Sequence, residues 1–133
     1  MDCSLTEAER DLVAAAGGLF RLSRAIGRAP AMDAILTGEP IDAERAYQLG
    51  LVSRLCAPGE ALDAAMDVAR SIASAAPLAV RASRRIVRAA AMVDDDELRG
   101  VSRVLLDDLL ESEDAAEGLR AFAEKRSPAW QGR

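Results

Sequence analysis

Carboxylates and guanidinium groups make up most of the side chains in this sequence that could do chemistry. The chain of 133 residues has 22 Asp and Glu, 17 Lys and Arg, two cysteines and no histidine. With no histidine, and with Cys3 and Cys56 as the two cysteines, the spacing offers neither a metal site nor a disulfide framework. We therefore expect no bound metal and predict that both thiols are buried or half-buried. Proton transfer by carboxylates and anion binding by basic side chains remain.

Glu7 is the carboxylate with the most informative neighbours. Ser4, Leu5, Thr6 and Glu7 fit a capping box, in which Ser4 is the N-cap of a helix and Glu7 lies at position N3. A carboxylate can instead take part in proton transfer if burial or a neighbouring group moves its pKa toward the working range. From the sequence, capping or plain solvation of Glu7 and a catalytic role both stay open.

Phe122 and Lys125 are three residues apart, so a helix would place them on one face. Lys125 is the only lysine in a chain whose positive charge is otherwise carried by arginine. Alternatively, Phe122 belongs to the core, because it continues an apolar stripe with Ala115, Leu119 and Ala123. Lys125 would then be an ordinary surface lysine. A binding role and a structural role therefore both remain for this pair.

Four arginines form one basic face of a predicted helix, at spacings of three and four residues: Arg81, Arg84, Arg85 and Arg88. We expect this face to be solvated and neutralised by the acidic segment that begins at Asp94. A contact with a phosphate or a partner is the alternative. The net charge of −5 argues against nucleic acid as a partner.

Glycine and proline divide the chain into short helical segments rather than into repeats or linkers. Asp42 and Ser112 fit helix N-caps, and Gly50 fits the residue that follows a helix end. The predicted helices are 19–26, 31–36, 43–49, 60–75, 78–91, 95–110 and 113–126. The sequence therefore predicts a mostly all-α fold with almost no sheet.

Length and composition indicate a globular protein. A chain of 133 residues can bury a core, and with 50% apolar but 3% aromatic residues that core must be filled by Ala, Leu, Val and Ile. The first residues have neither the basic nor the apolar region of a signal peptide, and no apolar stretch is long enough to cross a bilayer. We expect a cytoplasmic protein with no membrane partner.

Three segments, in order along the chain, resemble the enoyl-CoA hydratase/isomerase (crotonase) family. Residues 16–22 (AGGLFRL) and 24–27 (RAIG) resemble the loop and helix after the family's second catalytic segment. Residues 36–43 (LTGEPIDA), continuing to 50–52 (GLV), resemble its C-terminal signature. Residues 114–118 (DAAEG) and 121–126 (AFAEKR), with Pro128 and Trp130, are similar to its closing helix. Together they cover nearly the whole chain.

The resemblance implies an architecture. Family members place an N-terminal spiral of repeated ββα units before a C-terminal helical region that forms trimers, often paired into hexamers. We expect this chain to be the C-terminal half of such a protein, lacking the spiral core. Residues 1–27 would be the tail end of the core, with the second catalytic segment and the following helix. Residues 28–133 would be the helical trimerisation region.

The resemblance also implies site residues. Glu7 stands at the expected distance before the Gly17–Gly18 turn and corresponds to the second of two glutamates, which would orient the water and deliver the proton. Phe122 would stack on the adenine and Lys125 would meet the 3′-phosphate of a coenzyme A held by a neighbouring subunit. Ala16 is likewise assigned to coenzyme A binding. No cofactor is expected to be bound covalently, because the substrate is carried as a coenzyme A thioester.

The chain departs from the family pattern around Glu7. Thr6 stands where proline is usual, Asp11 where glycine is common and Cys3 where an aromatic residue is frequent, so we expect a looser geometry there. The resemblance also assigns the first glutamate and both oxyanion donors to the part that precedes this chain. Because one oxyanion donor is worth about 10²–10³ in rate, we expect little or no activity from the chain alone.

Two functions remain open. The first is an enoyl-CoA hydratase/isomerase of fatty-acid or acyl-CoA metabolism, inactive by itself. The second is a helical oligomerisation or acyl-CoA-binding module that pairs with itself or with another family chain. In either case we expect weak binding of acyl-CoA or enoyl-CoA, and a homo-oligomer, dimer or trimer, that covers apolar positions. Those positions are Leu36, Ile41, Leu51, Val52 and Leu105. Acyl-chain length and hydratase against isomerase chemistry stay open.

Overall fold

Short helices form nearly all the regular structure of residues 3–133, the part of the chain that this computed structural model describes. A 3₁₀ turn, Ala8–Arg10, comes first. The α-helices are α1 (Gly18–Ile26), α2 (Arg28–Thr37), α3 (Ala43–Gln48), α4 (Ala61–Ala73), α5 (Pro77–Ala89), α6 (Asp95–Leu110) and α7 (Glu113–Glu124). Extended backbone pairs at a single antiparallel bridge in these residues, between Cys3 and Ile41. The predicted all-α class is confirmed.

The chain divides into two compact units, Met1–Glu60 and Ala61–Arg133. The first unit contains the 3₁₀ turn and α1 to α3, and the second contains α4 to α7. The predicted boundary between residues 27 and 28 concerns the architecture of a longer family protein and stays a prediction. None of the helices in the described chain combines the length and the apolar character that crossing a bilayer requires.

Small apolar side chains form the core of the first unit, where α1 packs against α2. Its buried residues are Ile26, Ala31, Ala34, Ile41 and Ala46, and Leu22, Ile35, Leu49 and Leu51 pack against them. The backbone of Ile41 is held by Cys3 through hydrogen bonds of 3.0 and 2.8 Å. Ile41 is 8% exposed. The expectation that a neighbouring subunit or the missing part of the protein covers Ile41 in part is therefore wrong, because this unit covers Ile41 itself.

Side-chain caps begin three of the helices. Asp42 accepts a hydrogen bond from the Arg45 N–H at 2.7 Å and Asp94 from the Glu97 N–H at 3.0 Å. Ser112 accepts one from the Ala115 N–H at 3.1 Å. These bonds satisfy N–H groups that have no partner inside the helix, which explains why α3, α6 and α7 begin where they do.

Two local predictions are wrong: the capping box at the N-terminus and the burial of the two cysteines. The residue before the first turn is Glu7, not Ser4, and no side chain caps that turn, so the capping box does not form. Cys3 and Cys56 are both exposed rather than buried. The capping box fails because the only helical residues here are Ala8–Arg10, so Glu7 precedes the turn and does not occupy its third position.

The C-terminal tail, residues 127–133, folds back along α7 in the second unit. The Asp114 carboxylate, on a residue that is 3% exposed, accepts the Gln131 N–H at 2.6 Å and the Gly132 N–H at 2.9 Å. The Trp130 ring lies against Gly118, where an added Cβ would come within 3.3 Å of the ring. Its indole N–H donates to the Ser74 carbonyl at 3.0 Å, just beyond α4. The tail thus ties α7 to the end of α4.

The inner face of α7 differs from the predicted apolar stripe. Asp114 and Ala121 are buried, whereas Leu119 is 74% and Phe122 is 86% exposed. The interpretation of Phe122 as a core residue is therefore wrong for this chain. The tail contacts two carboxylates and a glycine of α7. The face of α7 that packs against the tail is therefore the one with acidic and small residues.

We expect Asp114→Asn to loosen the tail, because an amide nitrogen cannot accept a backbone N–H. The unfolding free energy should fall by about 1–2 kcal/mol, the usual effect of leaving a buried hydrogen-bonding group without its partner. Urea denaturation followed by the fluorescence of Trp130, the only tryptophan, measures this change at the tail itself.

The matched control is Asp107→Asn, whose carboxylate is 62% exposed and lies 3.7 Å from Arg103. Such a surface pair is worth roughly 0.5 kcal/mol or less. Equal effects of the two substitutions would contradict the structural role of Asp114.

Candidate functional site

Glu7 lies on an apolar pocket of about 200 Å³ in the first unit. The pocket lies between the segment around the 3₁₀ turn and helices α1 and α2, and apart from Glu7 every lining side chain is apolar. The lining residues are Leu5, Glu7, Ala8, Leu12, Val13, Ala14, Leu19, Ile35 and Leu36. A single half-buried carboxylate at the edge of an apolar cavity can exchange a proton with a ligand that occupies the cavity.

The backbone next to Glu7 offers no free pair of donors at its own turn. The N–H groups of Arg10 and Leu12 both donate to the Glu7 carbonyl at 3.0 Å. Asp11, between them, has φ 56°, a left-handed conformation that glycine prefers and that aspartate tolerates better than most residues. The expected loosening at Asp11 is thus reduced, because aspartate keeps the glycine-like turn.

Ala16 is exposed in the turn that precedes α1. Gly17 follows with φ 108°, which favours glycine, and Gly18 begins the helix with Leu5 and Ala14 side chains within 3.4 Å of the place of a Cβ. The two glycines therefore bring the turn close to the wall of the Glu7 pocket. Glu7 and Ala16 belong to the first unit, and Phe122 and Lys125 belong to the second.

Phe122 and Lys125 are neighbours at the C-terminal end of α7, but not on one helical face as predicted. The helix ends at Glu124, and Lys125 has φ 53° and ψ 40°, the left-handed conformation. Its N–H donates to the Phe122 carbonyl at 3.2 Å, while the Arg126 N–H donates to the Ala121 carbonyl at 3.1 Å. This is the Schellman turn, in which the left-handed residue is usually glycine. Lysine there costs about 1 kcal/mol or more.

Glu117 and Arg126 hold this turn from the side of the helix. The Glu117 carboxylate accepts hydrogen bonds from both terminal nitrogens of Arg126, at 2.5 and 3.0 Å, and from the Ala129 N–H at 2.9 Å. The hydrogen bonds from Arg126 first, and then that from Ala129, lower the pKa of Glu117 from an ordinary value of 4.5 to about 2. The same pairing raises the pKa of Arg126 further above its ordinary value. A fixed anion therefore supports the segment that carries Lys125.

Asp114, Glu117, Arg126 and Trp130 were not assigned a role from the sequence. One signal was present: Asp114, Glu117, Gly118 and Ala121 follow the three- and four-residue spacing of a helix face. Acidic and small residues on that spacing indicate a face that accepts backbone N–H groups at close range. The apolar spacing of the opposite face masks this signal, because apolar residues usually mark the buried side.

The four arginines of α5 are all exposed, as expected of a solvated face. Acidic residues of α6 form ion pairs within their own helix, Asp96 with Arg99 at 3.8 Å and Asp107 with Arg103 at 3.7 Å. Arg81 and Arg85 line a groove of about 330 Å³ between α5 and α6. Its floor includes Leu78, Leu105 and Leu109, so the groove is mainly apolar with a basic edge.

Comparison with known proteins identifies relatives over the whole described chain. The model of the enoyl-CoA hydratase/isomerase family matches residues 2–133. A carnitinyl-CoA dehydratase from Salmonella arizonae is 39% identical over 97% of this chain and 51% of its own length. The solved structure of an enoyl-CoA hydratase from Mycobacterium marinum is 44% identical with a TM-score of 0.92, over 98% of this chain and 53% of that chain. An enoyl-CoA hydratase from Bacillus anthracis is 32% identical with a TM-score of 0.94, over 99% and 51%.

The lowered pKa of Glu117 predicts how stability depends on pH. Because its pKa of about 2 in the folded chain lies below its ordinary value of 4.5, the unfolded chain binds more protons between these values. The stabilisation by ionised Glu117 is thus complete above the ordinary pKa and is lost as the pH falls through the folded value. The difference in melting temperature between the parent chain and Glu117→Gln should shrink over that interval.

Thermal unfolding at several pH values, followed by Trp130 fluorescence, measures this difference. The control repeats the comparison in an Arg126→Gln background, which removes the main cause of the lowered pKa. There the effect of Glu117→Gln should vary much less with pH. The same pH dependence with and without Arg126 would show that the ion pair is not its cause.

Proposed function

This chain belongs to the enoyl-CoA hydratase/isomerase family, and we propose that the protein of which it forms the C-terminal half acts on 2-enoyl-CoA thioesters of acyl-CoA metabolism. The predicted family is confirmed, and the chain spans about half the length of the relatives it matches. The observation that carries the proposal is the position of Glu7: the carboxylate that the family pattern assigns to proton transfer lies on an apolar pocket.

Glu7 is the proposed acid–base residue. Its side chain caps no helix, so of the two alternatives to a catalytic role, capping and plain solvation, capping does not apply. Glu7 lies among the lining residues of the apolar cavity, so its carboxylate is placed to exchange a proton with a substrate that occupies the cavity. Leu12, Val13 and Leu36 line the pocket yet are 61%, 70% and 64% exposed. These side chains would meet the acyl chain or the other half of the protein.

The chain alone is proposed to have little or no activity. Adding water across an α,β-unsaturated thioester develops negative charge on the thioester oxygen, which two preorganised N–H donors must stabilise. The Arg10 and Leu12 N–H groups, which follow Glu7, are used by its own carbonyl. These two groups are therefore not free to act as the stabilising pair, and the family pattern assigns both donors and the other glutamate to the preceding half.

Phe122 and Lys125, at the end of α7 in the second unit, are proposed to bind the coenzyme A held by a neighbouring subunit. The family pattern separately assigns Ala16, in the first unit, to coenzyme A binding. The Phe122 ring is 86% exposed and therefore accessible for stacking on adenine. Lys125 is exposed beside it and offers an ammonium group for the 3′-phosphate. Binding to the chain alone should be weak, because one stacked ring and one exposed ion pair contribute little free energy.

A second candidate function is an oligomerisation module that pairs with itself or with another chain of the family. Its support is the exposure of large apolar side chains, such as Leu62 at 73% on α4 and Leu110 at 65% on α6. Within the described chain, α4, α5 and α6 have no buried residue. Faces of this kind are usually covered in the functional state of a protein.

A chimera tests the enzymatic proposal. Residues 3–133 replace the matching half of the Mycobacterium marinum enoyl-CoA hydratase, and hydration of a short-chain 2-enoyl-CoA is followed by loss of enoyl absorbance. We expect turnover by the chimera and none by the isolated chain. Glu7→Gln in the chimera should lower kcat by about 10²–10⁴, the usual contribution of a general acid or base.

Glu9→Gln is the matched control, because Glu9 lies on the same 3₁₀ turn, is exposed and is absent from the pocket lining. It should leave kcat unchanged within about twofold, as expected of a solvated surface carboxylate. A folded chimera whose turnover survives Glu7→Gln would contradict the role of Glu7. Turnover by the isolated chain would contradict its proposed inactivity.

Analytical ultracentrifugation tests the second candidate. At micromolar concentration we expect the isolated chain to sediment as a dimer or trimer, because association covers the apolar faces of α4 and α6. Replacing Leu62 and Leu110 with Gln should shift the population toward monomer while helicity is retained. A monodisperse monomer of the parent chain would exclude self-association as its function.

A further inference from the structure

Lys125 occupies a backbone position that disfavours lysine. It lies at the left-handed residue of the Schellman turn, with φ 53°. Of the seven other positions with positive φ in the described chain, six are glycines and one is Asp11. A side chain at this position is strained, and glycine would relieve the strain. The presence of lysine rather than glycine in this strained conformation, close along the chain to the exposed Phe122 ring, points to a role for the lysine side chain.

The turn alone does not hold Lys125 in place. The residue on its C-terminal side, Arg126, is bound through its terminal nitrogens to Glu117 at 2.5 and 3.0 Å and through Nε to Glu124 at 2.6 Å. Glu117 also accepts the Ala129 N–H at 2.9 Å. One carboxylate thus fixes the chain at two points, one and four residues after Lys125.

Glu117 is suited to this task because it is nearly buried. Its side chain is 14% exposed, whereas the Arg120 side chain, which also approaches it at 3.7 Å, is 62% exposed. Bidentate pairing of a guanidinium with a carboxylate fixes geometry as well as charge, which a single-point ion pair does not. The position of Arg126, and through it the backbone of Lys125, is therefore set by α7 itself.

We propose that Glu117 is a positioning residue for coenzyme A binding: through Arg126 and the Ala129 N–H it keeps the Lys125 turn left-handed and holds the ammonium group beside Phe122, where it meets a 3′-phosphate. This inference rests on the proposed function, since it takes Lys125 as the phosphate ligand. Glu117 itself touches no ligand. Its substitution should therefore change recognition of the 3′-phosphate and leave recognition of the rest of coenzyme A unchanged.

The experiment compares coenzyme A with 3′-dephospho-coenzyme A as ligands of the full 133-residue chain, titrated by NMR at low salt. We expect the parent chain to prefer coenzyme A by about fivefold, the effect of one exposed ion pair to a phosphate. Lys125→Ala should abolish this preference. Glu117→Gln should also remove most of it, while the affinity for dephospho-coenzyme A changes by less than about twofold because no contact to the remaining ligand is lost.

Glu113→Gln is the matched control. Glu113 is also on α7 and also binds the tail, through Arg133 at 3.0 Å, whereas the carboxylates that pair with Arg126 within residues 3–133 are those of Glu117 and Glu124. It should retain the preference for coenzyme A. If Glu117→Gln lowers the helicity of the chain, Arg126→Gln breaks the same clamp from the other side and leaves the hydrogen bond between Glu117 and the Ala129 N–H.

A stability measurement separates positioning from a merely structural role. Lys125→Gly should raise the melting temperature, because glycine relieves the left-handed strain, and should at the same time abolish the preference for coenzyme A. A preference that disappears in Lys125→Ala but survives in Glu117→Gln and Arg126→Gln would overturn the positioning role alone. Equal affinities of the parent chain for the two ligands would overturn the assignment of Lys125 as well.

Discussion

Two carboxylates on one face of α7 organise the second unit. Asp114 and Glu117 accept three backbone N–H groups of the tail and the guanidinium of Arg126, at 2.5 to 3.0 Å. The helices α4 to α6 contribute no buried residue that could do the same by apolar packing. Hydrogen bonds to a charged acceptor are stronger than neutral ones, and partial burial of the acceptors strengthens them further. The position of the tail, the Trp130 contact with Gly118 and the turn at Lys125 all follow from this pairing.

The polar inner face leaves the apolar face of α7 exposed. A helix can present one side to its own tail and the other to a ligand or a partner, and here the tail takes the side with acidic and small residues. Phe122 and Leu119 are then exposed without loss of any internal contact. This division of faces leaves Phe122 and Leu119 accessible from solvent.

In the first unit, small side chains form the core and larger apolar side chains lie on the pocket. Its core consists mainly of alanine and isoleucine, and the N-terminal segment joins it through the backbone bridge between Cys3 and Ile41. Small side chains allow α1 and α2 to approach closely, so the larger side chains Leu12, Val13 and Leu36 lie on the pocket rather than in the core. Glu7 is carried at the edge of this apolar surface by a single turn whose N–H groups are already bonded. Any chemistry of Glu7 therefore depends on a ligand or on other groups that enter the pocket, because the N–H groups of its own turn are not free.

The sequence by itself determined the features that depend on near neighbours along the chain. Asp42, Asp94 and Ser112 begin helices because their side chains reach N–H groups two or three residues away, and α6 has the predicted bounds. The three sequence segments that resemble the family, in the same order along the chain, were also sufficient to indicate the family. Only the tertiary structure decided which face of α7 is buried, that Phe122 is exposed and that Lys125 lies beyond the helix in a left-handed turn. The physical reason is that these features depend on where the tail returns. The spacing of Asp114 and Glu117 marks one helix face, but it does not show that a residue as distant as Gly132 donates a hydrogen bond to that face.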